Sequence, residues 1–180
     1  DANTQYFVYI QSDCENAEDW TSVSFSTPCE AIDLPFNENF DSYSSETQPD
    51  CWNVIFTGGD NSNRPRISTS YATSGNCFYI VSGGTSYGAN NYIIMPNMNS
   101  DYSNVVVEFD SKMESTYSGR LYFGYITDIN DASTFVSLET VPSTTSSAHY
   151  SYNLVGRTIA DNARLAFKWS YSSSWYQVGI

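Results

Sequence analysis

A two-residue hydrophobic alternation, repeated in many short runs, constrains this chain more than any other feature. Val105, Val107 and Phe109 share one face of such a run. Leu121, Phe123 and Tyr125 do the same, as do Leu165, Phe167 and Trp169. Side chains of a strand alternate between its two faces, so this period marks half-buried β-strands. About ten strand candidates start from Phe36, including 52–56, 77–82, 91–95, 104–110, 120–126, 134–138, 150–154, 163–169 and 175–180. The spacers between them are rich in Gly, Ser, Asn and Asp, which are turn formers. No window sustains a helical period. Many short strands with turn signals between them predict a sandwich or barrel. Polar outward positions favour an antiparallel two-sheet sandwich over a parallel sheet.

The composition agrees with this class and excludes several functions. Aromatic residues make up 16% of the chain and charged residues only 15%, which suits a secreted β protein and not a disordered one. Seven basic residues stand against twenty acids, for a net charge of −13. Phosphate neutralisation needs clustered Lys and Arg, so nucleic acid is excluded, as are anionic membrane surfaces. No apolar run approaches the roughly 20 residues of a membrane helix. The acidity implies solubility outside the cell or acids that bind calcium. Asp1 opens a polar stretch that runs straight into a strand, so no signal peptide is read. The chain is expected to be a mature or excised piece of a longer secreted protein.

The N-terminal thirty residues stand apart from the rest. Tyr6, Val8 and Ile10 alternate with Phe7 and Tyr9. After a polar acidic turn comes Trp20, then a second run with Val23 and Phe25 on one face. This predicts a hairpin, which is marginal alone. A short linker from Cys29 to Pro35 follows. The stretch Leu34 to Val54 then opens the main module with a strand-like Phe36–Phe40, the acid Asp41, a polar turn, and Cys51-Trp52 at the start of a second strand.

Two resemblances are carried by these residues. The first run ends in Ser-Asp-Cys at Cys14, and the second in Thr27-Pro28-Cys29. Together they resemble the last two strands of a fibronectin type III module of bacterial surface proteins. Pro35 to Asp41, Cys51-Trp52, Gly124 to Asp128, Asp131 to Phe135, Glu139 to Val141, Ala166 to Trp169 and Trp175 to Ile180 resemble an adhesin-type jelly-roll module related to MAM domains. The expected fold is therefore all-β: an antiparallel jelly-roll β-sandwich over 31–180, preceded over 1–30 by a β-hairpin remnant of a fibronectin-III-like module. The adhesin-type family continues past its last isoleucine into Asp-Asp or Asp-Asn. This chain stops at Ile180, so a ligand from that acid is missing.

Four cysteines allow three pairings. Neighbours are favoured, Cys14 with Cys29 and Cys51 with Cys77. The bland alternative is four reduced, buried thiols. With no Cys-x-x-Cys and one histidine, a zinc site is not expected.

Calcium takes oxygen ligands from carboxylates, amides and backbone. Glu38 and Asp41 lie in and after the first strand of the module, and Asp60 lies in the turn Gly58 to Asn63. The adhesin-type resemblance implies a structural calcium near these acids; the bland reading is ordinary turn chemistry. For glycans, which stack on aromatic rings, Tyr87, Tyr171 and Trp175 in polar loops are the expected platform. Trp52 and Trp169 are assigned to the core, which is also the alternative reading of Trp175.

Catalysis has little support. His149 follows a Ser/Thr loop, and no Gly-x-Ser-x-Gly or His-Glu-x-x-His motif is present. A Ser–His–Asp triad depends on spatial geometry and is not decided by sequence. Glu108 and Asp110 share a strand face, as the paired carboxylates of a glycosidase would, or as a solvated outer face would. The functional reading is a secreted or cell-surface, non-catalytic module that binds an extracellular glycan or a host or matrix protein, alongside neighbouring domains of a longer chain. The alternatives are a structural spacer and, third, a hydrolase.

Overall fold

The computed structural model describes residues 1–12, 20–57, 63–82, 90–116, 119–171 and 176–180. Its strands are β1 (Gln5–Ile10), β2 (Thr21–Ser26), β3 (Asn53–Phe56), β4 (Arg66–Ser68), β5 (Cys77–Ser82), β6 (Asn90–Ile94), β7 (Val106–Met113), β8 (Gly119–Ile126), β9 (Val136–Val141), β10 (Ala148–Asn153), β11 (Arg164–Tyr171) and β12 (Tyr176–Gly179). A short 3-10 helix, Ala132–Thr134, precedes β9, and the Asp131 side chain caps it by accepting from Ser133 N. Among the described residues there is no α-helix.

Two five-stranded antiparallel sheets form the body, ordered β10-β7-β12-β5-β4 and β3-β6-β11-β8-β9. Within them, β5 to β12 take the orders 5-12-7-10 and 6-11-8-9, which is the eight-stranded jelly roll. β4 and β3 extend one edge of each sheet.

The predicted faces point inward. Leu121, Phe123, Leu165, Phe167 and Trp169 from one sheet meet Phe78, Ile80, Val107, Met113 and Val178 from the other. Each fully buried side chain of this size contributes about 1.5–3 kcal/mol, so this layer dominates stability.

The Phe36–Phe40 stretch is not a strand. The backbone reaches φ 63° at Phe40 and 64° at Cys51, a region incompatible with a β-ladder. Instead, the segment from Ile32 to Trp52 closes one end of the sandwich. Ile32 forms a parallel bridge with Met98. Phe40, Trp52 and Phe78 pack edge-to-face in a triangle, with centroids 5.3, 5.6 and 5.8 Å apart.

The cysteine pairing also differs from expectation. Cys29 is bonded to Cys51, with Cα atoms 5.7 Å apart. Cys77 is a buried free thiol that donates to Ser70 O at 3.3 Å, and Cys14 lies outside the described residues. The expected Cys14–Cys29 and Cys51–Cys77 bridges are therefore replaced. Because the 30–50 segment loops across the sandwich end, its two ends meet. Cys77 belongs to a separate cluster, with Tyr79, Val81, Tyr71 and Ala72.

The hairpin is present as predicted. β1 and β2 pair antiparallel, with Tyr6 opposite Phe25 and Val8 opposite Val23. All twelve of its strand residues are exposed.

Candidate binding cleft

The candidate site lies beside the end of β12. Gly179 pairs with Lys112 of β7 and Tyr79 of β5. Ile180 then exchanges two backbone hydrogen bonds with Phe78, at 2.9 and 3.1 Å. β7 begins at Val106, so its first half lies past the end of β12.

A cleft of about 400 Å³ occupies this place, between β7 and the segments 37–40 and 73–76. Glu38, Glu108 and Asp110 supply carboxylates; Asn37, Asn39 and Asn76 supply amides; Thr73 and Ser74 supply hydroxyls. No Lys or Arg is among the described residues that line it. A smaller cavity of about 110 Å³ adjoins it on the core side, walled by Phe36, Phe40, Trp52, Met95, Phe109 and Phe167. The two share Asn37, Glu38, Phe40, Glu108, Phe109 and Ile180 in their walls.

Strand register builds the acidic wall. Odd-numbered residues of β7 face the core, so Glu108 and Asp110 face outward together. β10 brings His149 opposite Asp110. His149 Nδ1 lies 2.9 Å from Asp110 Oδ1, and Nε2 lies 3.9 Å from Glu108 Oε1. Both ring nitrogens therefore address carboxylates. Among the described residues, no serine or threonine hydroxyl is hydrogen-bonded to the ring, so this is not the arrangement of an activated nucleophile. These side chains are more than half exposed, and such ion pairs add little stability.

The loop wall is held by Asp41 and Asn76. Asn76 N donates to Asp41 Oδ1 at 2.9 Å, and its side-chain amide donates to the carbonyls of Phe40 and Tyr43. Glu38 Oε1 accepts from Phe40 N at 2.7 Å. Of the three acids expected to hold calcium, Glu38 and Asp41 thus spend oxygens on backbone amides, and Asp60 lies outside the described residues. Among the described residues, no three His, Cys, Asp or Glu side chains converge on a cation position.

Of the expected sugar platform, Tyr87 and Trp175 fall outside the described residues. Tyr171 ends β11, in register with Gly119. The described strand residues that flank these stretches, Ser82 and Tyr176, pair with each other.

Sequence reasoning read Glu108 and Asp110 as a solvated strand face and His149 as a surface residue, and all three side chains are exposed. It missed Asn76. No sequence signal marked Asn76, whose partners Asp41, Phe40 and Tyr43 lie more than thirty residues away in the chain.

No protein-family profile matches the chain, and no curated protein matches it in sequence. Solved structures do. The K3 cleaved adhesin domain of Lys-gingipain from Porphyromonas gingivalis w83 superposes with a TM-score of 0.56 at 16% identity, over 81% of this chain and 95% of that one. The K2 cleaved adhesin domain of Lys-gingipain gives 0.56 at 13% identity, over 80% and 95%. The fold is an adhesin-type β-sandwich.

A second polar feature of this adhesin-type sandwich braces the linker end. Arg164, at the head of β11, donates Nε to Met95 O at 2.8 Å, one terminal nitrogen to Asn53 Oδ1 at 2.8 Å, and the other to Cys51 O at 2.9 Å. It ties β11, β3 and the Cys29–Cys51 bridge together. Burial pulls the guanidinium below its ordinary pKa.

Proposed function

We propose that this chain is a non-catalytic adhesion module of a secreted or cell-surface protein, and that the cleft beside β7 binds an extracellular glycan or protein. The observation that carries this reading is the cleft lining. Carboxylates, amides and hydroxyls converge on an open concavity, while among the described residues no serine or threonine hydroxyl is hydrogen-bonded to the one histidine. Concave sites with a few convergent polar groups are the usual form of binding sites.

Residues 1–30 are read, as a further proposal, as the closing strands of a fibronectin-III-like module that joins this one to neighbouring domains. A structural calcium at Glu38, Asp41 and Asp60 is a separate proposal. Melting in calcium and in chelator tests it, and identical curves would count against it.

The adhesion reading is tested by probing a glycan array and immobilised matrix proteins with the purified chain and with a Glu108→Gln/Asp110→Asn variant. Retention of the native chain that the variant loses is the expected result. No retention on any surface would favour the spacer reading. Turnover of a glycoside or peptide substrate would favour the hydrolase.

A further inference from the structure

The outward face of the β3-β6-β11-β8-β9 sheet reverses the charge of the chain. Ala166, Lys168 and Ser170 alternate with the core residues Leu165, Phe167 and Trp169, so they point away from the core. Register sets Tyr122 of β8 opposite Lys168, and Arg120 opposite Ser170. Tyr92 of β6 flanks Lys168 on its other side, and Thr140 of β9 flanks Tyr122. None of the twenty acids lies on β3, β6, β8 or β11, whereas three of the seven basic residues do: Arg120, Arg164 and Lys168.

Arg164 is occupied by the acceptors described above. Arg120 and Lys168 form no ion pair among the described residues. Arg120 is exposed, and its guanidinium donates to Gly119 O. The Lys168 ammonium lies 5.8, 5.7 and 5.9 Å from the ring centroids of Tyr92, Tyr122 and Phe135. Aromatic rings attract a cation without neutralising it. They therefore fix where the charge sits and leave its N–H groups for another acceptor.

Arg120 and Lys168 are a diagonal cross-strand pair, for which Cβ atoms lie about 7–8 Å apart. Side chains of this length can meet on one small anion from that spacing. Like charges on neighbouring strands repel, and an anion between them turns the repulsion into attraction. A guanidinium fork beside an ammonium suits a carboxylate. The half-buried Tyr122 ring and the Ser170 and Thr140 hydroxyls beside it are the aromatic and polar groups that a sugar ring needs. The net charge of −13 repels polyanions over longer range, which favours one carboxylate over an acidic polymer or peptide.

We propose that this face binds a sugar carrying a single carboxylate, held between Arg120 and Lys168 with its ring against Tyr122. The site shares no residue with the cleft beside β7 and stands without it.

NMR titration of the purified chain with two matched pairs of sugars tests it: sialyllactose against lactose, and methyl glucuronide against methyl glucoside. At least one acidic sugar should shift the amides of Arg120, Tyr122 and Lys168 saturably, and its neutral partner should bind about tenfold more weakly or less. Added salt should weaken the acidic sugar. Arg120→Gln should weaken it about tenfold with the melting temperature unchanged, since the side chain is exposed. Lys168→Arg should retain more binding than Lys168→Gln. Glu108→Gln/Asp110→Asn, in the cleft, should leave it unaltered. Equal response to an acidic sugar and its neutral partner would overturn the proposal. So would the absence of saturable binding by both acidic sugars, shifts confined to residues 108–110, or tighter binding of a Glu-rich peptide at the same amides.

Discussion

A β-carbon on Gly119 would lie 2.1 Å from both Cη2 and Cζ2 of Trp169. The indole of Trp169, fully buried, lies across the start of β8 and leaves no room for a side chain there. Gly119→Ala must push a large rigid ring within a packed core, so it should cost roughly 2–4 kcal/mol despite alanine's better fit to extended backbone. Urea unfolding measures this. In a Trp169→Phe background the same change should cost less, because the two sites share one volume.

The Trp169 face shows what alternation can report. Leu165, Phe167 and Trp169 are all buried, as their spacing requires, because a period of two states directly which residues share a face. β4 went unread because three residues, Arg66–Ser68, are too few to show a period. Phe36 and Phe40 imitated a strand because aromatic residues sealing an end are spaced much like aromatic residues on a face; only the positive φ at Phe40 separates the two. The cleft was illegible for a different reason. It is walled by β7 and by the segments 37–40 and 73–76, which lie far apart in the chain, while sequence shows each run alone.

The cysteines give a chemical check. Peptide mapping without reduction should recover Cys29 linked to Cys51. Replacing both by serine should cost roughly 3 kcal/mol, the chain-entropy value for a closed loop of this length. Burial pushes the Cys77 thiol up to about 12 and the Tyr79 phenol likewise to about 12. Cys77 should therefore resist alkylation in the folded protein and react on unfolding. Both groups stay protonated longer in the folded than in the unfolded chain. Their contribution is fully present below about pH 9, where the free thiol starts to ionise, and is lost as pH rises towards about 12. Alkaline melts should show stability falling across that window, and Cys77→Ala should flatten the lower part of the fall.

The loop wall of the cleft depends on a glycine. Gly75 has φ +56°, and a β-carbon there would lie 2.2 Å from Asp41 Oδ1, the oxygen that Asn76 N also uses. Gly75→Ala carries both a left-handed backbone penalty and a steric conflict. A cost of about 1–2 kcal/mol is expected. Because Asn76 lines the cleft, the same variant should weaken any ligand of the cleft more than its melting temperature alone suggests. Asp41→Ala should relieve the steric part and lose the hydrogen bond, so the two changes together should cost less than their sum.

Arg164 decides how firmly the linker end is held. Its guanidinium serves three acceptors on three separate segments, the carbonyls of Met95 and Cys51 and the side chain of Asn53. No carboxylate offsets its charge in these contacts, so its hold rests on geometry. Arg164→Met keeps much of the apolar stem but leaves those acceptors without a donor in a half-buried place. Unsatisfied groups of this kind cost about 1–3 kcal/mol each when water cannot reach them, so a loss of about 3 kcal/mol in urea unfolding is expected after partial hydration. Arg164→Lys should restore less than half. An ammonium is a compact point donor and cannot present the planar fork that reaches Met95, Asn53 and Cys51 together. Full recovery with lysine would mean that charge, and not the fork, braces this end.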